Sequence, residues 1–222
     1  MAPTPSPWTT RRNLLLAARK LAVIQYDYQS PLITTVKNPT TGALVLPDNG
    51  FPIGLHSKQQ GGRLANAQTI EDIRSHGYGG PTRQIPTQRD VTLGLQAQET
   101  HRRNLENQYG ADFSDVVADA AGGVHLDIPD LPLNKLSRVV LLGKDDWNGL
   151  PIYLAWVGNR VNISETSEQQ MTDAALIDYP YTMNFQGEDA FADGNPFFLE
   201  IFGPGWKAIQ DAGTDTGFGG GS

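Results

Sequence analysis

RDVTLGLQAQETHRRNLENQYG, residues 89–110, carries two periodicities back to back, and the change between them decides the fold class. Val91, Leu93, Leu95 and Ala97 fall on one face while Asp90, Thr92, Gln96 and Gln98 fall on the other, the period-two pattern of a half-buried strand. After Thr100 the spacing becomes helical. His101, Leu105 and Tyr109 share one face at i, i+4 and i+8, and Gly110 stands where a left-handed C-terminal cap belongs. The stretch predicts a strand running straight into a short helix over residues 100–109, in a chain that is mainly β.

Strand signals dominate the rest. Residues 13–28 are ambiguous: Thr10 caps a helix running to Leu21, or Ala22, Ile24, Tyr26 and Tyr28 alternate as a strand, which is favoured for the second half. Residues 136–142 and 150–157 are apolar runs joined by Trp147-Asn148-Gly149, a type I′ hairpin signal. Gly158-Asn159 reads as a second turn, into residues 160–164. Ile177, Tyr179, Tyr181, Met183 and Phe185 then alternate with polar neighbours, and Pro180 among them points to an edge strand or a bulge. Phe197, Leu199 and Ile201 form the last strand, with Phe198 and Phe202 on its opposite face, which something must cover: a helix of this chain or another subunit.

These elements predict one large, mainly β domain over residues 13–206 with one short flanking helix. Glycine (24) and proline (15) together make about 18% of the 222 residues, against a usual combined ~12%, and they concentrate in decorations on that domain. Pro3, Pro5 and Pro7 keep residues 1–12 extended as an arm. Residues 29–53 form a long loop rich in turn chemistry. After Trp206, residues 207–222 read as a flexible tail ending in Gly219-Gly220-Gly221-Ser222.

Chemistry is sparse by comparison. The net charge of −7 has the wrong sign for gripping nucleic-acid phosphates. There is no cysteine, hence no disulfide or thiolate metal site. His56, His76, His101 and His125 lack ligand spacing, so no metal is expected, and no phosphate-cradling loop implies a nucleotide cofactor. Carboxylates pair at Asp127 with Asp130, Asp145 with Asp146, and Glu188 with Asp189, all at predicted turns where Asp serves its own backbone. Leu14 to Ala18 is too short an apolar run for an export signal or membrane span, so Asn162-Ile163-Ser164 is read as a chance glycosylation match. The expectation is a chain kept in the cytoplasm until it assembles.

In collinear order, Thr69-Ile70-Glu71-Asp72-Ile73, Gly80-Pro81-Thr82-Arg83, Leu95-Gln96-Ala97-Gln98-Glu99-Thr100 with Leu105, Glu106 and Tyr109-Gly110, residues 127–132, Tyr179-Pro180-Tyr181-Thr182-Met183 and Phe202-Gly203-Pro204-Gly205 resemble the major tail tube protein of long non-contractile-tailed bacteriophages of the actinobacteriophage type. The resemblance covers about residues 54–206; residues 1–51 depart from it. It implies that the domain of residues 13–206 is a β-sandwich tail-tube subunit with a flanking helix, a non-enzymatic virion protein whose hexameric rings stack into a tail tube. Its partners would be other copies, a tape measure protein in the lumen, terminator and distal tail proteins at the ends, and DNA passing without adhesion. Candidate inter-subunit contacts are Pro3, Pro5, Pro7, Trp8, Arg102, Arg103, Phe198, Phe202 and Trp206, with Arg102 and Arg103 expected to meet a carboxylate of an adjacent subunit because a helix N-terminus disfavours cations. The alternative is a carbohydrate-binding or hydrolytic β-sandwich using the aromatic strand faces and turn carboxylates.

Overall fold

The computed structural model describes residues 12–173, 175–191 and 194–218. Along them run eight strands and two helices: β1 Lys20–Asp27, β2 Phe51–Pro52, β3 Arg63–Ile73, β4 Arg83–Ala97, α1 Arg102–Tyr109, β5 Ser137–Trp147, β6 Leu150–Thr166, β7 Tyr179–Phe185, β8 Phe198–Phe202 and α2 Pro204–Asp211. All strand pairings are antiparallel, in the order β2-β1-β5-β6-β7-β4-β3, with β8 beside β6. The chain is therefore mainly β. The two layers expected of a sandwich are present, but as one sheet bent back on itself.

The bend lies in β6. Its first half pairs with β5 on one edge and β8 on the other, and from Val161 onward that second edge is taken by β7. Gly158-Asn159, expected to be a turn, is instead the point where the continuous strand changes partners, beside a register shift at Ser137/Val139 of β5. Glycine is required there because the Phe185 ring fills the space a Cβ at 158 would occupy. The result places β4 opposite β5: Leu21, Leu141 and Leu93 all come within 3.5 Å of the point where a Cβ on Gly62 would sit. Val91, Leu93, Leu95 and Ala97 point into this interlayer core with Val23, Val139, Tyr181 and Met183, as the period-two pattern predicts.

The outer face of β1, β5, β6 and β8 carries a second core, where Ile24, Tyr26, Val140, Val157 and Phe202 are buried. It is covered from within the chain. Residues 33–46 lay Ile33, Val36, Leu44 and Leu46 on it, so the long loop of residues 29–53 is folded onto its own body. Asn159 holds it in place: its side chain accepts from Ile33 N (2.9 Å) and donates to Ile33 O (2.8 Å), imitating a strand partner. Glu200 of β8 accepts from Val36 N at 2.8 Å. Their backbone groups are thereby paired although the segment has little regular structure.

Three further expectations change. β7 is an interior strand, and Pro180 is tolerated as its second residue, across from Gln96. Residues 207–211, taken as the start of a flexible tail, belong to α2, with Pro204 in its first turn, where a missing N–H costs nothing. β3 was not anticipated at all. The Trp147-Asn148-Gly149 signal holds, with Asn148 (φ 50°) and Gly149 (φ 80°) both left-handed between the paired Trp147 and Leu150. The arm of residues 1–12 lies outside the described residues up to residue 11; Arg12 opens a 3-10 turn, Arg12–Leu14.

Candidate assembly interface

β3 and β4 together make a projecting ribbon. β4 enters the core only from Val91, because β7 ends opposite it at Phe185; residues 83–90 pair with β3 alone. Every residue of β3 after Leu64 is exposed, and so is β4 up to Asp90 except Ile85. The ribbon thus stands about 24 Å out from the body, the seven residues 67–73 of β3 at ~3.4 Å each, with both faces bare and both outer edges unpaired. A bulge at Thr69/Ile70, where Pro86 faces Ile70, adds twist midway. Ile70 (51% exposed), Ile73 and Tyr78 are its large apolar side chains. Sequence reading missed it for a physical reason: alternation records burial of one face, and neither face here is buried.

At the opposite end of β4 lies α1. His101 caps it, its Nδ1 accepting from Asn104 N at 3.3 Å, and Gly110 closes it at φ 59°. His101 thus serves as the cap rather than as part of the helical face. The helix buries polar side chains: Arg103, Asn104, Glu106, Asn107 and Gln108. Asn104 donates to Ile53 O and Glu99 O and accepts from the Tyr181 hydroxyl at 3.1 Å, while Asn107 and Gln25 bond each other reciprocally. Burial pushes the Tyr181 phenol well above its ordinary pKa.

The arginines find their carboxylates inside the subunit. Arg103 lies 2.8 Å from Asp27 and 3.3 Å from Glu106, and Arg102 lies 3.6 Å from Glu106. The i+3 and i+4 spacing to Glu106 was visible in sequence, and it removes the need for a partner on an adjacent subunit. Lys135 completes the cluster, reaching Glu106 (3.6 Å) and Asp112 (3.3 Å). Asp112 is held below the usual carboxylate range mainly by the Ser114 N–H and helped by Lys135; after Phe113, which is buried with its N–H donated to Glu106, a long exposed segment follows that returns to the body at Leu133 N, which donates to Gly110 O.

The remaining candidates separate clearly. Phe202 is 4% exposed in the second core, which corrects the surface role expected for it, and Phe198 is half-buried against that core with the Phe191 ring 5.8 Å away. Trp206 lies at the surface on α2, lining a groove of about 380 Å³ with Leu199, Ile201 and Phe218. Pro3, Pro5, Pro7 and Trp8 fall outside the described residues. Tyr179, Tyr181 and Phe185 are core side chains and offer no stacking platform. Of the carboxylate pairs, Asp145 accepts from Ala17 N and Asp146 N, Glu188 faces Arg138 at 3.7 Å, and Asp127 pairs with His125. Among the described residues no three His, Cys, Asp or Glu side chains gather as metal ligands would, and no helix is long and apolar enough to cross a membrane.

No family model and no curated protein matches the chain. Among solved structures it is similar to a chain in the cryo-EM structure of the anti-feeding prophage (AFP) baseplate, 6-fold symmetrised: 11% identity and a TM-score of 0.42, covering 89% of this chain and 97% of that one.

Proposed function

We propose that this protein is a structural subunit that assembles with copies of itself, and that the assembly is a bacteriophage tail tube of stacked hexameric rings through which the genome leaves. The observation that carries the assembly reading is the β3–β4 ribbon. A two-stranded ribbon without a covered face is marginal in water, and open strand edges invite pairing, so such an element is suited to lying on another subunit. The tail-tube reading adds the collinear resemblance over residues 54–206. In that setting the tape measure protein would occupy the lumen and terminator and distal tail proteins the ends. The −7 charge suits a conduit from which DNA must slide free, since acidic walls repel phosphates within a screening length of roughly 8–10 Å.

The test removes the ribbon cleanly. Replacing residues 67–90 with Asn-Gly joins Asn66 to Val91, which already face each other, through a two-residue turn. Negative-stain microscopy of the intact protein is expected to show rings or tubes. The shortened protein is expected to melt as the intact one does and to show dispersed subunits. An intact protein that stays dispersed at every concentration refutes the reading; so does a shortened one that still builds tubes.

A further inference from the structure

A second surface differs in character from the ribbon. A groove of about 860 Å³ opens between the two layers at the root of β3, floored by Leu141 and walled by Leu21, Leu64 and Trp156. Arg19, His56 and Lys58 stand on its rim, and among the described residues no carboxylate lines it. Arg19 and Lys58 make no ion pair among the described residues. Apolar walls under an uncompensated cationic rim call for an occupant that is apolar and acidic together.

The same chain carries such a segment. From residue 112 to 133 there are five aspartates and no lysine or arginine, interleaved with apolar residues. Val117 (84% exposed), Leu131 (77%) and Val124 (60%) turn their side chains to solvent. Asp115, Asp119 and Asp130 have no ion-pair partner among the described residues. The segment leaves the body beside Lys135, at the end of the β1–β5 pair where Asp27 meets Ser137; the groove opens toward the other end, where Lys20 meets Lys144. Those ends are about 23 Å apart, seven steps along β1 at ~3.3 Å.

We propose that the acidic segment of residues 112–133 of one copy docks in the Arg19–Lys58 groove of the next, a head-to-tail contact in which one chain supplies both halves. Donor and acceptor surfaces lie at opposite ends, so each docked copy presents a fresh groove or a fresh segment and the contact repeats without limit unless the rotation closes it. Apolar side chains bury against Trp156 and Leu64 while the aspartates meet Arg19 and Lys58. This rests on the self-assembly reading, and it names a contact independent of the ribbon.

Charge reversal tests it. One full-length variant carries Arg19→Glu and Lys58→Glu; a second carries Asp115→Lys, Asp119→Lys and Asp130→Lys. All five sites are exposed, so circular-dichroism melting should match the unaltered protein. In sedimentation velocity each variant alone is expected to lose the assembled boundary, because its groove and segment now carry the same sign. An equimolar mixture of the two is expected to recover it, since every contact then pairs opposite signs. Assembly unaffected by either reversal, or loss without recovery on mixing, overturns the docking while leaving self-assembly intact. A groove variant that assembles normally but loses binding to a polyanion such as heparin would also overturn it, assigning the groove to an anionic polymer. An unaltered chain that never assembles removes both this contact and the self-assembly reading.

Discussion

The β3–β4 hairpin serves two purposes along one ladder, and paired substitutions separate them. Leu93 of β4 is 0% exposed and touches the same point in the interlayer core as Leu21 and Leu141. Truncation to Ala removes buried methyl groups and leaves a hole that close-packed strands fill poorly, at about 2–5 kcal/mol. For a domain of this size each kcal/mol is worth roughly 2–4 °C, so Leu93→Ala is expected to melt roughly 4–20 °C lower. Ile70, further out on the partner strand, is 51% exposed and touches no core. Ile70→Thr keeps a β-branched side chain and is expected to shift stability by no more than ~0.5 kcal/mol. The assay is thermal unfolding by circular dichroism on dilute protein, followed by sedimentation at high concentration. Leu93→Ala should lower the melting temperature; Ile70→Thr should leave it in place while weakening assembly. Equal loss of melting temperature in the two variants would refute the division of the hairpin into core and interface.

Other perturbations address the bend and the buried polar groups. Asn159→Ala strands the Ile33 N–H and C=O and removes an acceptor of Arg138, and is expected to cost about 2–4 kcal/mol in urea unfolding and to speed hydrogen exchange at the Ile33 amide. Gly158→Ala drives a methyl group into the Phe185 ring and should destabilise by about 1–3 kcal/mol in the same assay; an unchanged midpoint would mean β6 bends without needing the glycine. Burial raises the Tyr26 and Tyr181 phenols above 10.0, so the unfolded chain ionises before the folded one. Their stabilisation is complete below pH 10 and is lost as pH climbs beyond it. Tyr181→Phe should flatten that alkaline loss while lowering stability at neutral pH, because Asn104 Oδ1 loses its donor.

What could be read from the residues was whatever leaves a periodic or stereochemical trace. The inward face of residues 91–97 shows as alternation, the α1 cap as Gly110, and the β5–β6 turn as Asn-Gly, because each is a local response of backbone and solvent to a few neighbouring side chains. The ribbon left no such trace, since a strand with two wet faces has nothing to alternate. α1 misled in the other sense: its buried residues are polar, satisfied by Gln25, Asp27, Ile53 and Tyr181 from distant parts of the chain, and no window of helix sequence contains those partners.

By itself, then, the amino-acid order determined strand character, the β5–β6 hairpin turn, the end of α1, and the absence of thiolate chemistry. Only the tertiary structure decided that residues 33–46 roof the second core, that Arg103 reaches Asp27 as well as its neighbour Glu106, and that Gly158 bends a strand instead of turning it. It also set the ribbon's root and the cationic groove side by side and the acidic segment at the far end. The reason is range. Periodicity and capping are settled within a turn or two of chain, whereas covering a face or pairing Arg103 with Asp27 depends on residues 76 to 164 positions away, brought near only once the sheet has folded over itself.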